Sequence, residues 1–263
     1  MKNFAFDRWD HGRLLINHDY AALFEAARWT TFEAVWQATS QAAIAKDAGT
    51  ERVTCRFELT GSNGPQAFYI KRHVTATLYE TMKPLLHGRL PCLGAKVEWD
   101  ALLAFHEAGL ATMMPVALGQ GGSESFLITA ELTGCTKLSE CPTDEQAQSV
   151  VPIAEVARKM HRARLHHQDF YLGHLLRPHD PGQPIHVIDL GRVQKHGPWF
   201  ARRWIVKDLA QLNYSAKTAR ATDRLRFWQA YQGRPLSDGD KPLIRRILSK
   251  TKRIARHSQK NGL

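Results

Sequence analysis

The feature that most constrains this chain is a change of regime near residue 133, from alternating strand-like segments to helical periodicity. Before it, "RVTCRFEL" and "AFYIKRH" are rich in β-branched and aromatic residues and are joined by "TGSNGPQ", which predicts a hairpin ending near His73. "AKVEWDALLAFHEAG" then places Glu98, Leu102 and Phe105 on one helical stripe, with Gly109 as its C-terminal stop. "ESFLITAEL" is a further strand. After "TGCTKLSECPTDE", residues Val150, Ile153, Ala157, Met160 and Arg164 share one helix face. A short strand "IHVIDL" follows, and the remainder reads as helices ending in "KPLIRRILSKTKRIARHSQKNGL". Segregated strands and helices predict an α+β, two-lobed chain. Residues 1–133 form the strand-rich lobe with one helix, residues 134–263 the helical lobe, and the joint lies near Leu132 to Gly134.

Composition bounds what such a chain does. A 43% hydrophobic and 23% charged sequence is that of a soluble globular protein with a sizeable core. Lys and Arg outnumber Asp and Glu by 36 to 25, a formal charge of +11 that favours an anionic partner without choosing among nucleic acid, membrane and phosphorylated substrate. Cys55, Cys92, Cys135 and Cys141 form no C-x-x-C pair and read as reduced thiols of a cytoplasmic protein. "MKNFAFDRWDHGRLL" lacks the apolar core of a signal peptide. The longest uncharged stretch, Gly109 to Ser123, is broken by Pro115 and glycines, so any membrane contact is expected to be peripheral.

Within this frame a few polar residues stand out. Strand alternation puts Lys71 on the face opposite Phe68 and Ile70. By itself a strand lysine is an ordinary solvated residue. Glu98, however, lies on an inward stripe, where an unpaired carboxylate is costly, and Lys71 is its natural partner. Further on, "HHQDFYLGHLL" sets Asp169 between His167 and His174, and "VIDLG" brings Asp189 to the end of an apolar strand. The two aspartates are 189 − 169 = 20 residues apart, room for one β-hairpin.

This order of residues resembles the strand lysine, helix glutamate, H-R-D-x-x-x-x-N loop and D-F-G aspartate of kinases. Phosphoryl transfer needs positioning and charge neutralisation more than covalent help, which suits a lysine and carboxylates. A zinc cluster of His161, His166, His167, Asp169 and His174 is the competing reading. No H-E-x-x-H or similar spacing supports it, and His161 and His166 straddle a helix end. His166, His179 and His186 read as surface or supporting residues.

Longer blocks narrow the resemblance. "FYIKRH", "GRLPCLGAKVEWDAL", "SFLITAEL", "MHRARLHHQDFYLGHLL", "HVIDLGRVQ" and "RWIVKDLAQLNYSA" resemble segments of the bacterial lipopolysaccharide core heptose kinases, relatives of the Kdo kinases with a protein-kinase-like fold. The resemblance runs from about Arg52 to about Phe227. It implies Lys71 as ATP anchor, Glu98 as its partner, Asp169 as catalytic residue, and Asp189 as ligand of Mg2+; His174 is a candidate second ligand that the resemblance leaves open, since magnesium prefers oxygen. It further implies transfer of phosphate from ATP to a heptose hydroxyl of the lipopolysaccharide core, with a core oligosaccharide or lipid-linked core as substrate. It places the site of action at the cytoplasmic face of the inner membrane; the basic tail "LIRRILSKTKRIARH" reads either as docking on that anionic surface or as a solvated helix face. This sequence departs from the family in having Gln168 where arginine is usual and Gly191 where many members have histidine. His174 stands where kinases have asparagine. No G-x-G-x-x-G is present, and the phosphate-covering loop is expected within "QATSQAAIAKDAGTE". The alternatives are the same fold acting on Kdo, the second heptose or another small molecule, and a non-catalytic kinase-like binding protein. No nucleic-acid partner is expected, since no recognition motif or aromatic-studded basic stripe is present.

Overall fold

The alternating stretch around Lys71 becomes the centre of a seven-stranded sheet in the computed structural model, which describes residues 4–39, 43–47, 52–61, 64–74 and 94–260. The chain divides into two compact units, Met1–Ala104 with Met113–Leu132, and Phe105–Thr112 with Thr133–Leu263. The first contains β1 (Phe6–Trp9), β2 (Leu14–Asn17), α1 (Ala21–Ala26), α2 (Phe32–Ala38), β3 (Ala43–Asp47), β4 (Arg52–Gly61) and β5 (Gly64–Val74). Helix α3 (Gly94–Glu107), β6 (Pro115–Gly121) and β7 (Glu124–Ala130) follow, the last turn of α3 counting with the second unit. The sheet is antiparallel throughout, in the order β1-β2-β6-β7-β5-β4-β3.

Alternation decides which side of β5 is buried. Phe68 and Ile70 are fully buried with Leu14, Ile16, Phe24, Val35, Phe126 and Ile128. Burying each large apolar side chain contributes about 1.5–3 kcal/mol before the entropy cost of ordering it. Helices α1 and α2 supply Phe24, Phe32 and Val35 to this core, with Phe32 stacked on Phe126 at 5.3 Å between centroids. Lys71, one residue on from Ile70, points the other way, between Thr54 of β4 and Leu127 of β7.

The predicted hairpin, the helix after it and the strand "ESFLITA" are present. The expectation of a single helix in this half is corrected by α1 and α2. Each is six or seven residues long, too short for its apolar residues to repeat and signal a period. Parts of the "TGSNGPQ" turn, of the expected phosphate-covering segment and of "GRLPCLGAKVEWDAL" lie outside the described residues.

The second unit holds β8 (Cys135–Lys137), α4 (Thr143–Gln148), α5 (Val150–Arg162), β9 (Leu165–His166), β10 (Leu175–Pro178), β11 (His186–Val187) and β12 (Gln194–Lys195). Three longer helices complete it: α6 (Pro198–Ser215), α7 (Ala221–Gln232) and α8 (Lys241–Lys260). Ile153, Ala157 and Met160 of α5 are buried on one face, as their spacing predicts. Arg164 is not part of that face: the helix ends at Arg162, and Arg164 takes φ +61° in the turn that follows. The strand expected over "IHVIDL" is only His186–Val187, because Asp189 adopts a left-handed conformation (φ 59°, ψ 59°) that no strand continues through. Strand β10 does pair antiparallel with β11, so a hairpin fills the interval between Asp169 and Asp189. No helix among the described residues is long and apolar enough to cross a membrane.

Candidate active site

In the first unit, the lysine and glutamate meet. Lys71 Nζ lies 2.6 Å from Glu98 Oε1, and the Glu98 side chain is 3% exposed against 25% for Lys71. Helix α3 is set in place at its first turn, where Ala95 N donates to Ser125 Oγ on β7 at 3.0 Å. Gly94, just before it, takes φ +68°, and a Cβ there would come within 3.1 Å of the same hydroxyl. Trp99 packs on Phe6 from the neighbouring position of the helix. A buried carboxylate fixed on a helix therefore holds the strand lysine in one orientation, and removing Lys71 would leave that buried carboxylate without its cation.

The second unit builds the other cluster on a loop with unusual backbone geometry. Gln168 has φ +65°, a conformation that non-glycine residues adopt only when the surroundings fix it. The surroundings here are α6. Asp208, fully buried, accepts from His167 N at 2.9 Å and from Gln168 N at 2.7 Å. Three residues on, Gln211 accepts from Phe170 N and donates to Gln168 O; Ser215 Oγ then accepts from Leu172 N. One helix face thus satisfies four amides of the loop, those of His167, Gln168, Phe170 and Leu172. Burial pushes the His167 imidazole down from its ordinary pKa and keeps it neutral, and its Nε2–H donates to Ile188 O at 3.0 Å. That bond ties the Asp169 loop to the residue preceding Asp189.

Three potential ligands come together as a result. Atoms of Asp169, His174 and Asp189 lie within 4.8 Å of one another. His174 Nδ1 sits 2.6 Å from the carbonyl oxygen of Asp169, so that nitrogen carries the proton. The ring's Nε2 lies 3.6 Å from Asp189 Oδ2. The donor set fits a divalent ion: the two carboxylates suit magnesium, and the imidazole is a softer addition that magnesium accepts less readily than oxygen.

Sequence reasoning did not single out four contributors. Asp208, Gln211 and Ser215 form a polar stripe of α6 that local pattern assigns to solvent. Arg192, three residues beyond Asp189, places Nη1 3.6 Å from Asp169 Oδ1, a contact that nothing in the local sequence indicates. His166, read as a surface or supporting residue, is fully buried, with Nδ1 3.1 Å from His196 Nδ1 and its ring stacked on His161. His161 belongs to this buried group, bonding Tyr231 Oη at 2.8 Å and lying 3.3 Å from Asp208 Oδ2.

Comparison with known proteins bears on this arrangement. The model of the lipopolysaccharide kinase (Kdo/WaaP) family matches residues 33–231. The chain is 36% identical over 210 residues to the lipopolysaccharide core heptose(I) kinase WaaP of Pseudomonas aeruginosa, covering 71% of this chain and 76% of that protein. A solved structure of WaaP in complex with acyl carrier protein superposes with a TM-score of 0.67 at 29% identity, over 92% of this chain and 98% of that one. An aminoglycoside-3'-phosphotransferase of type VIII, at 14% identity and a TM-score of 0.52 over 80% of this chain and 92% of its own, shares the fold alone. The expected α+β, protein-kinase-like fold is the one observed.

Proposed function

The chain belongs to the lipopolysaccharide kinase (Kdo/WaaP) family, and from that premise we propose that it is an ATP-dependent kinase phosphorylating a heptose hydroxyl of the lipopolysaccharide inner core. The observation that carries the chemistry is the trio of Asp169, His174 and Asp189, with the ligand atoms within 4.8 Å of one another. Residues 1–133 are read as the nucleotide-anchoring lobe and residues 134–263 as the catalytic lobe.

In this reading Lys71 binds the α- and β-phosphates of ATP, and Glu98 holds its ammonium in place. Asp189, with His174 beside it, would hold Mg2+, which would neutralise the charge of the phosphates. Asp169 orients the acceptor hydroxyl and takes its proton as the sugar oxygen bonds to the γ-phosphorus and the bond to the ADP oxygen breaks. Such general-base assistance is worth about two to four powers of ten in rate. Asp208 acts through the loop, keeping Asp169 where the hydroxyl arrives. The acceptor is an anionic glycolipid, so the enzyme works peripherally at the cytoplasmic, anionic face of the inner membrane, where each nearby Lys or Arg adds about 1 kcal/mol of attraction.

The test is incubation with ATP, magnesium and unphosphorylated core oligosaccharide, with mass spectrometry of the product. One added phosphate on heptose is expected, lost in Asp169→Ala. Phosphate on Kdo would move the acceptor, and full activity in Asp169→Ala would remove the mechanism.

A partner is proposed on separate grounds. The WaaP structure was solved with acyl carrier protein, and this chain is read as binding one too. Supporting this is an apolar cavity of about 310 Å³ in the second unit, bounded by Val150, Ile153, Leu209, Leu212, Trp228 and Ile247, which suits an acyl chain. Co-purification with acylated but not unacylated carrier is the expected result, and Ile153→Trp should abolish it.

A further inference from the structure

Helix α6 has a second surface that the reaction does not use. At its N-terminus Trp199 is 92% exposed and Phe200 68% exposed, an uncommon state for adjacent large aromatics. Around them the charge has one sign. Between Val193 and Lys207 there is no Asp or Glu, while Lys195, Arg202, Arg203 and Lys207 are basic. Lys195, Arg202 and Arg203 are exposed, and Arg203 and Lys207 flank the ring of Trp204, whose centroid lies 5.2 and 5.4 Å from their charged groups. At 3.6 residues per turn, Trp199, Arg203 and Lys207 lie along one side of the helix.

We infer that this tip of α6 is the membrane-contact element of the protein, with Trp199 and Phe200 seated at the headgroup level and the flanking arginines and lysine paired with lipid phosphates. The inference deepens the peripheral-membrane part of the reading above and rests on it. The occupant follows from size and charge. A stable protein interface needs roughly 800 Å² from each partner, far more than two protruding side chains offer. A bilayer interface accepts single aromatic anchors, and Trp is enriched there because its ring is apolar with one polar edge. Unbroken positive charge around the anchors selects an anionic leaflet.

The basic helix α8, which the sequence offers as one candidate for membrane contact, exposes Arg245, Arg246, Arg253 and Arg256 but no aromatic residue. It can attract a charged surface without entering it. Helix α6 differs in a second way. Trp199 and Asp208 are 208 − 199 = 9 residues apart, two and a half turns, so they face opposite sides of the same helix. The side that meets lipid and the side that holds the Asp169 loop are thereby one rigid body, and docking would fix the catalytic loop's attitude to the membrane in which the acceptor lies.

The test is sedimentation of the full-length chain with vesicles of phosphatidylcholine alone or with one third phosphatidylglycerol, without ATP or sugar. Wild type should partition onto the anionic vesicles. Trp199→Ser/Phe200→Ser should lower that partition by about tenfold or more. Arg202→Gln/Arg203→Gln should lower it about fivefold per charge removed, an effect that added salt erases. Both variants should still phosphorylate soluble core oligosaccharide at the wild-type rate. The inference is overturned by partition of the aromatic variant within twofold of wild type. It is overturned equally by loss of binding in Arg245→Gln/Arg246→Gln alone, by equal binding to neutral vesicles, or by loss of soluble-substrate activity, which would make the patch part of the sugar site. Vesicle binding by a chain that phosphorylates nothing would instead refute the kinase reading and leave the docking surface standing.

Discussion

Asp208→Asn isolates the contribution of a residue that touches no substrate. Its carboxylate accepts from His167 N and Gln168 N at 2.9 and 2.7 Å, and both amides belong to the loop that carries Asp169. Asparagine keeps one acceptor and turns an NH2 group toward the other amide, leaving a buried donor facing a donor. A hydrogen bond to a charged group contributes about 1.5–3 kcal/mol, and an unsatisfied buried donor costs about 1–3 kcal/mol. The substitution should therefore destabilise the second unit by about 2–4 kcal/mol, a fall in Tm of roughly 4–16 °C for a chain of this size. Gln168 holds its left-handed conformation through these bonds, so the loop should also relax toward ordinary φ. Displacement of a catalytic group by about 1 Å costs about a hundredfold in rate. Steady-state kinetics below the melting transition should show kcat reduced by about that factor. The Kd for ATP should stay within about threefold, because Lys71 and Glu98 are held by the sheet and α3. If Asp208→Asn melts with wild type and turns over normally, α6 does not position the loop, and the argument from buried hydrogen bonds fails.

Four further outcomes test other parts of the site. Glu98→Gln should remove the carboxylate that orients Lys71 and reduce kcat/KM for ATP by about tenfold or more, read by initial rates at varied ATP, while the folded fraction by circular dichroism stays near wild type. Asp189→Asn should abolish magnesium-dependent stabilisation by ATP in a thermal-shift assay, whereas Asp169→Asn should keep it and lose about two to four powers of ten in kcat. Stability should fall as the medium is acidified below neutrality. Burial pushes His166 down to about 4 and lowers His167 and His196 as well, so the unfolded chain takes up protons first between about pH 6.5 and 4. Tm measured from pH 7.5 to 5 should drop, and His166→Leu should flatten that slope even if it lowers Tm overall; a slope unchanged by the variant would count against the buried imidazole as its source.

What the sequence makes legible, and what it hides, follows from the range over which each signal acts. The Lys71–Glu98 pair could be anticipated because two periodicities, of two on a strand and 3.6 on a helix, each give a direction, and an inward carboxylate demands a cation. The approach of Asp169 to Asp189 could be anticipated because the chain between them is just long enough for one hairpin. Helices α1 and α2 could not, since six or seven residues hold too few apolar positions to mark a period, and only the sheet they cover makes them helical. Asp208, Gln211 and Ser215 are the instructive failure. Their spacing of three and four lies on one helix face, yet a polar stripe is the ordinary signature of solvent exposure, so local pattern assigns them to the wrong side. What inverts that assignment is the loop's own demand: a backbone that turns through a left-handed residue to present Asp169 leaves four amides without helix or sheet partners, and some neighbouring element must carry acceptors inward to meet them. A loop of irregular backbone thus implies a buried polar helix face elsewhere in its unit, and in this chain that helix is the one whose outer tip carries Trp199 and Phe200.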